Sequence, residues 1–255
     1  MEQTNKTRST VSLIEPSIQA TSLLADYEPE FDMDFVKRLL GRQKAGSLTR
    51  STRNRLQQMH EGVYRLLHPR VVWGVFPVAT IKQDQIEFVS GLTLKSHKMA
   101  RAMTGAEQLV CFVATIGRKI DMQVEQLMDQ GKIANAYICD ALGSGAVESV
   151  AERFQSGFDR KFSPHQVHTA AGKRFSPGYC DWQVTEQHKL FSLVDAGAIG
   201  VTLDKSSLMT PRKSISAVFG LYPKGSGPTT KKHNPCFYCF KKDCLARRSP
   251  AESIN

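Results

Sequence analysis

Two short clusters in this 255-residue chain hold residue types that could do chemistry. The first is Arg174-Phe175-Ser176-Pro177-Gly178-Tyr179-Cys180-Asp181-Trp182, which sets a guanidinium, a turn, a phenol, a thiol and an indole within one short stretch. Pro177-Gly178 predicts a tight turn, proline setting one dihedral and glycine free to adopt positive φ. Arg174 and Tyr179 flank that turn, and both could reach a small ligand lying against the Gly178 backbone. The second cluster is Cys236-x2-Cys239-x4-Cys244. Its pitch suits soft-metal ligation, because thiolates separated by two residues can wrap one zinc ion or one iron-sulfur cluster. His233 and Cys180 are candidates for a fourth ligand. Zinc there would be structural, whereas an iron-sulfur cluster would carry electrons.

The rest of the composition bounds what those clusters can serve. Cys111 in "LVCFVAT" and Cys139 in "AYICDAL" sit in apolar contexts and read as small core hydrophobes. The formal charge of +10 is uneven. Nine Lys or Arg stand against one acid, Glu61, between Phe35 and Arg70, and seven stand against one, Asp243, between Lys224 and Arg248. Two basic segments on a mildly acidic body imply an anionic cofactor, an acidic docking protein or nucleic acid, unless they are solvated helix faces. Little aromatic interleaving accompanies the charge, so nucleic acid ranks last. No apolar run is long enough to span a bilayer, and the first thirty residues contain no signal-peptide core. The expected location is the cytoplasm, where six cysteines do not make a disulfide framework.

The elements that must position these residues are legible in outline. Asp32 or Asp34 can cap a helix carrying Phe35, Val36, Leu39 and Leu40, ended by Gly41. A second helix follows Ser47, with Leu56, Met59, Val63, Leu66 and Leu67 on one face, and stops before Pro69. "VVWGVFPVAT" and "QIEFVSGLTL" read as paired strands, and "EQLVCFVAT" as a buried strand running into a helix that ends at Gly131. From Lys132 to Phe158 a long helical pattern carries Ala134, Ala136, Ala141, Gly143, Ser144, Gly145 and Ala146, small residues that allow close approach. Glu148 and Glu152 lie on this helix as candidates to complement a cationic ligand, against the commoner reading as surface carboxylates. A short helix follows near Thr185, then strands at "GVTL" and "SISAVFGLY", the latter with Ile215, Ala217, Phe219 and Leu221 on one buried face. The mixture lacks a regular βαβ rhythm and any G-x-G-x-x-G or Walker motif. It predicts an α+β fold with a mixed or antiparallel twisted sheet flanked by helices, and a short Cys-rich C-terminal tail. Composition divides the chain into an N-terminal arm over 1–30, a folded domain over 31–223, and a basic linker with the Cys-rich tail over 224–255.

Taken in order, "RFSPGY", "EQHKLFSLVD" and "IGVTLDKSSLMTPRKSISAVFGLYP" resemble the activation domain of cobalamin-dependent methionine synthase in a free-standing form. The upstream "LVCFVATIGRKIDMQVEQL" and "ICDALGSGAVESVAERF" are similar to free-standing members as well. The resemblance implies a site for S-adenosylmethionine in which Arg174 and Tyr179 take part and the Gly178 backbone lines the ligand. It implies that the protein helps return an oxidised corrinoid, cob(II)alamin carried by a partner methionine synthase polypeptide, to methylcobalamin by one electron and one methyl group. It further implies an acidic electron donor such as flavodoxin, for which the basic segments offer a docking surface.

Two features depart from the family pattern. Fused members carry a late tyrosine after a His-Pro element, whereas this chain has Tyr222 before Pro223 and no aromatic in "KGSGPTT". The Cys-rich tail is the larger departure, and it motivates a second reading as an iron-sulfur redox activator of a corrinoid protein. A metal-stabilised basic module that binds nucleic acid is the third.

Overall fold

The computed structural model describes residues 23–41, 48–162 and 168–227. Its framework is a buried pair of antiparallel strands. β5 (Gln108–Thr115) runs against β9 (Ser214–Pro223) in register from Gln108↔Leu221 to Thr115↔Ser214. β2 (Arg70–Ile81) flanks β5 on its other side, and β6 (His168–Phe175) flanks β9. β1 (Leu23–Asp26) pairs with the first part of β2, and β3 (Gln85–Phe88) with its end; β4 (Thr93–Lys95) then pairs with β3. Among the described residues these seven strands form one antiparallel sheet. A small hairpin of β7 (Thr202–Leu203) and β8 (Met209–Thr210) stands apart.

Each face of the sheet carries its own apolar layer. Val110, Phe112 and Ala114 of β5, with Ala217, Phe219 and Leu221 of β9, face one group of helices. These are α1 (Met33–Gly41), α2 (Arg50–Tyr64), α4 (Lys119–Asp129) and α5 (Ile133–Phe162). Leu109, Cys111 and Val113 point the other way, with Val218 and Tyr222, toward α3 (His97–Ala102), α6 (Gln187–Leu193) and the turns that follow. Both central strands are therefore buried on both faces, which is why β5 reads as a continuous apolar run. For β9 this corrects the expectation of a single buried face.

Local signals explain where the helices begin and stop. Asp32 accepts the Phe35 N–H at 2.9 Å at the start of α1, and Thr49 accepts the Thr52 N–H at 3.1 Å before α2. Gly131, at φ +68°, receives the chain as it leaves α4, a conformation glycine adopts without penalty. The expected single strand at "QIEFVSGLTL" is instead two, because a turn at Ser90-Gly91, with Gly91 at φ +85°, folds it into the β3–β4 hairpin. β1 and β6 went without a sequence signal. β6 is an edge strand with a register shift between Ala171 and Phe175, and "HTAAGKRF" shows no clean alternation.

α5 lies across the middle of the sheet. Phe154 and Phe158 enter an aromatic cluster with Trp73, Phe112 and Phe219, with ring centroids 4.9 Å apart for Phe112–Phe154 and 5.3 Å for Phe158–Phe219. The rings meet tilted or edge-on, the favoured arrangement for their quadrupoles. Lys213, just before β9, donates to Ser144 at 2.9 Å and pairs with Asp140 at 2.7 Å, which ties the helix to the strand entrance.

The small residues on α5 have the packing role their sequence suggests. Gly145 accepts the Asp32 N–H at 3.0 Å, so the start of α1 touches the α5 backbone. A methyl group there would collide with Val36 Cγ2 and come within 3.1 Å of the Asp32 carbonyl. Gly157, three turns along, has open space where a methyl would go. Glycine-to-alanine changes inside a helix ordinarily stabilise by up to about 1 kcal/mol, while overpacking costs about 1–3 kcal/mol. Urea denaturation should therefore show Gly145→Ala less stable than the wild type and Gly157→Ala at least as stable.

Candidate functional site

The site is built where the edge strand β6 turns into the Pro-Gly loop beneath α5. The strand carries a bulge at Gly172, which adopts φ +76° and whose carbonyl accepts the Gln155 side chain of α5 at 3.1 Å. Past the bulge, Phe175 enters the apolar layer on the α6 side, and Arg174 turns toward α5.

Arg174 is the centre of this geometry. Its Nη2 donates to Glu148 Oε2 at 2.5 Å and its Nη1 to Glu152 Oε2 at 2.9 Å. Only 9% of its side chain is exposed, against 19% for Glu148 and 56% for Glu152. The two carboxylates sit one helical turn apart, the spacing that puts them on a common face. Charge-assisted pairs of this kind are short and strong when desolvated, and they hold a planar guanidinium in a defined orientation.

The loop that follows is held as firmly. Tyr179 N–H donates to the Ser176 carbonyl at 3.2 Å across Pro177 and Gly178, and Gly178 has φ +85°. Proline followed by a positive-φ glycine is the arrangement of a type II turn. Trp182 N–H donates to Tyr179 at 3.1 Å and Gly178 N–H to Trp182 at 2.8 Å, so a second turn closes over the first. Cys180 takes φ +59° within it. A methyl group on Gly178 would meet Val184 Cγ2 at an ordinary 3.6 Å. The turn needs glycine for its dihedral angle, as the Pro-Gly pair predicted.

Two side chains anchor the loop to the sheet. Trp182 is buried to 1% exposure in the layer that holds Leu190. Asp181 accepts from Ser96 Oγ at 2.7 Å and from the Lys98 N–H at 3.1 Å, capping α3 from a distance in sequence. Nothing in the local sequence marked this tie. Burial alone would raise the Asp181 carboxyl, but the hydrogen bonds from Ser96, Lys98 and His97 outweigh it and hold it below its ordinary value. Tyr179 is left 50% exposed, and Cys180 is exposed beside it.

The remaining candidates divide clearly. Cys111 and Cys139 are buried, and burial raises both thiols, Cys139 to about 11. They are core residues. Tyr222 is buried too, its hydroxyl donating to the Ala102 carbonyl at 3.3 Å and its pKa raised to about 12 by burial. It packs over Gly220 in the core. His233, Cys236, Cys239 and Cys244 lie outside the described residues. Among the described residues, no group of three or more His, Cys, Asp or Glu could hold a metal ion, and no helix is long and apolar enough to cross a membrane.

With this geometry in view, the comparisons with known proteins fall into place. Residues 97–226 match the family described as vitamin B12 dependent methionine synthase, activation domain. The chain belongs to that family. Its fold is similar to a crystal structure of the MetH reactivation domain bound to AdoHcy, with a TM-score of 0.57, 16% identity, and coverage of 83% of this chain and 82% of that one. Comparison with curated proteins gives no match. The α+β architecture, with its antiparallel sheet and flanking helices, is thus the architecture of the MetH reactivation domain.

The anchored loop has a pH signature. A carboxyl whose folded pKa lies below its unfolded value stabilises the fold above the ordinary value of 3.8, and that contribution is lost as pH falls through the lowered folded value. Thermal melts taken at decreasing pH should show Asp181→Asn losing less stability than the wild type below about pH 4.

Proposed function

We propose that this chain binds S-adenosylmethionine at the end of β6 and supports the reductive remethylation of cobalamin carried by a partner methionine synthase polypeptide. The observation that carries this reading is Arg174, a largely buried guanidinium oriented by two carboxylates beside a rigid turn, in a chain of the activation-domain family.

The residues fit the cofactor's amino-acid end. Arg174 can pair bidentately with the methionyl carboxylate, a geometry that a planar fork matches and a lysine does not. Gly178 sets the course of the backbone at the turn, and Tyr179 offers an exposed ring and hydroxyl at its rim. When bound, S-adenosylmethionine would supply the methyl group. The protein's own task is positional: to orient the ligand, to exclude water on the α5 side, and to leave the Tyr179–Cys180 rim open toward the corrinoid.

The partner surfaces follow from charge. Lys37 and Arg38 on α1 and Arg50, Arg53, Arg55 and Arg65 on and after α2 are exposed, on helices that cover one face of the sheet. This basic face suits an acidic electron donor such as flavodoxin, which would be attracted by long-range electrostatics. In domain terms, we propose that 31–223 forms the body of the activation unit, to which Leu23–Asp26 of the preceding segment 1–30 adds β1 as a strand of the sheet, and that the basic linker and Cys-rich tail follow over 224–255. The sheet ends with β9 at Pro223, which agrees with that division.

Calorimetric titration of S-adenosylmethionine under anaerobic conditions tests the site. Binding should be saturable, and Arg174→Ala should weaken it by about 1.5–3 kcal/mol, the scale for losing hydrogen bonds to a charged group. Unchanged affinity in a folded Arg174→Ala variant would remove Arg174 from the site.

A further inference from the structure

We propose that Glu186 and Lys189 are positioning residues for the ligand turn: by closing the free edge of β4 they fix the segment against which the Pro177-Gly178 turn rests, and so set the affinity for S-adenosylmethionine. The affinity half of this proposal rests on the reading that the turn belongs to the cofactor site.

The edge of β4 defines the tie. In an antiparallel pair, alternate residues direct both backbone groups toward the neighbouring strand, and the residues between them direct theirs away. Phe88 N–H donates to the Leu92 carbonyl at 2.9 Å and Leu94 lies opposite Ile86, so Leu94 faces β3 while Thr93 and Lys95 turn their backbone groups outward. No further strand follows β4 in the sheet among the described residues. Glu186 Oε2 instead accepts the Lys95 N–H at 3.0 Å, and Lys189 Nζ donates to the Thr93 carbonyl at 2.7 Å. The same Nζ pairs with Glu186 Oε1 at 2.7 Å. The two side chains thus offer β4 an acceptor and a donor, as a neighbouring strand would, and each holds the other in place. Charge strengthens both bonds.

The segment that carries this pair also reaches the other side of the sheet. Gln187 is buried; its Oε1 accepts from Ser216 Oγ of β9 at 3.1 Å, and its Nε2 donates to the Ser207 carbonyl at 3.2 Å. β3, β2 and β5 separate β4 from β9 in strand order, so one short segment bonds to both because the sheet curls around it. Val184, at the start of that segment, is the side chain a methyl group on Gly178 would meet, which places it against the ligand turn. Asp181 ties the other end of the loop to Ser96 and Lys98, directly after β4. The turn is therefore held between two attachments to residues 93–98, one through Asp181 and one through Glu186 and Lys189.

The competing account is that the pair only adds to the stability of the whole fold. The two accounts differ in where its loss is felt. A general contribution loosens the central strands as much as the turn, whereas a positioning role loosens β4 and the turn alone.

Amide hydrogen exchange and titration with S-adenosylmethionine, both on the full chain, test the proposal. Glu186→Ala should raise exchange at Lys95, Gly178 and Trp182 by about fivefold or more, leave Phe112 and Val113 of β5 unchanged, and weaken S-adenosylmethionine by about fivefold or more. Glu186→Gln keeps an oxygen for the Lys95 N–H and should bring both readouts back to within about threefold of the wild type. Exchange that rises equally at the β5 amides marks a general loss of stability and overturns the proposal. Unchanged exchange at Gly178 and Trp182, or unchanged affinity, in folded Glu186→Ala overturns it as well. If Glu186→Ala does not fold, Lys189→Ala is read in the same way, since it removes the more exposed partner, 35% against 13% for Glu186. Failure of the wild type to bind S-adenosylmethionine overturns the functional reading instead, and exchange at Gly178 and Trp182 still decides whether Glu186 positions the turn.

Discussion

The fold depends on the seating of α5 against the doubly buried strands β5 and β9. Phe154 and Phe158 fill the space between the helix and Phe112, Phe219 and Trp73. Removing a buried phenylalanine of this kind typically costs about 3–5 kcal/mol, a large part of a domain's net stability. The same seating fixes the rotation of the helix. With the aromatic residues facing the sheet, Gly145 meets the start of α1, Lys213 reaches Asp140 and Ser144, and Glu148 and Glu152 face the end of β6. Core packing and site electrostatics are thus set by one interface.

Around that interface the site combines a rigid scaffold with an exposed rim. Arg174 is oriented from α5, and the turn after it is closed by backbone hydrogen bonds and secured by Trp182 and Asp181. Pre-organisation of this kind lowers the entropy lost when a ligand is ordered. Tyr179 and Cys180, in contrast, stand at the surface. The site thus joins a fixed interior to an accessible edge.

Much of this was legible in the chain. The helix start at Asp32 and the stop at Gly131 follow from side-chain and backbone chemistry confined to a few residues. The continuous apolar run of β5 announced burial, and the small residues of α5 announced close packing. What escaped were features carried by partners far away in sequence. β6 is a strand because β9 offers it a hydrogen-bonding edge, and Asp181 is an anchor because α3 presents Ser96 and the Lys98 N–H across the fold. The polar, bulged "HTAAGKRF" has no periodicity that could have revealed the first, and an aspartate in a loop has no property that could have revealed the second.

By itself the sequence determined the α+β class, the tight turn at Pro177-Gly178, and the presence of a guanidinium and a phenol on either side of it. Those are local properties, set by dihedral preferences, side-chain chemistry and hydrophobic spacing. Only the tertiary structure decided that Arg174 is nearly buried and held between Glu148 and Glu152, that Tyr179 is exposed, and that Tyr222 belongs to the core. Burial and charge pairing are properties of residues brought together across the chain, so they appear only once α5 has settled on the sheet.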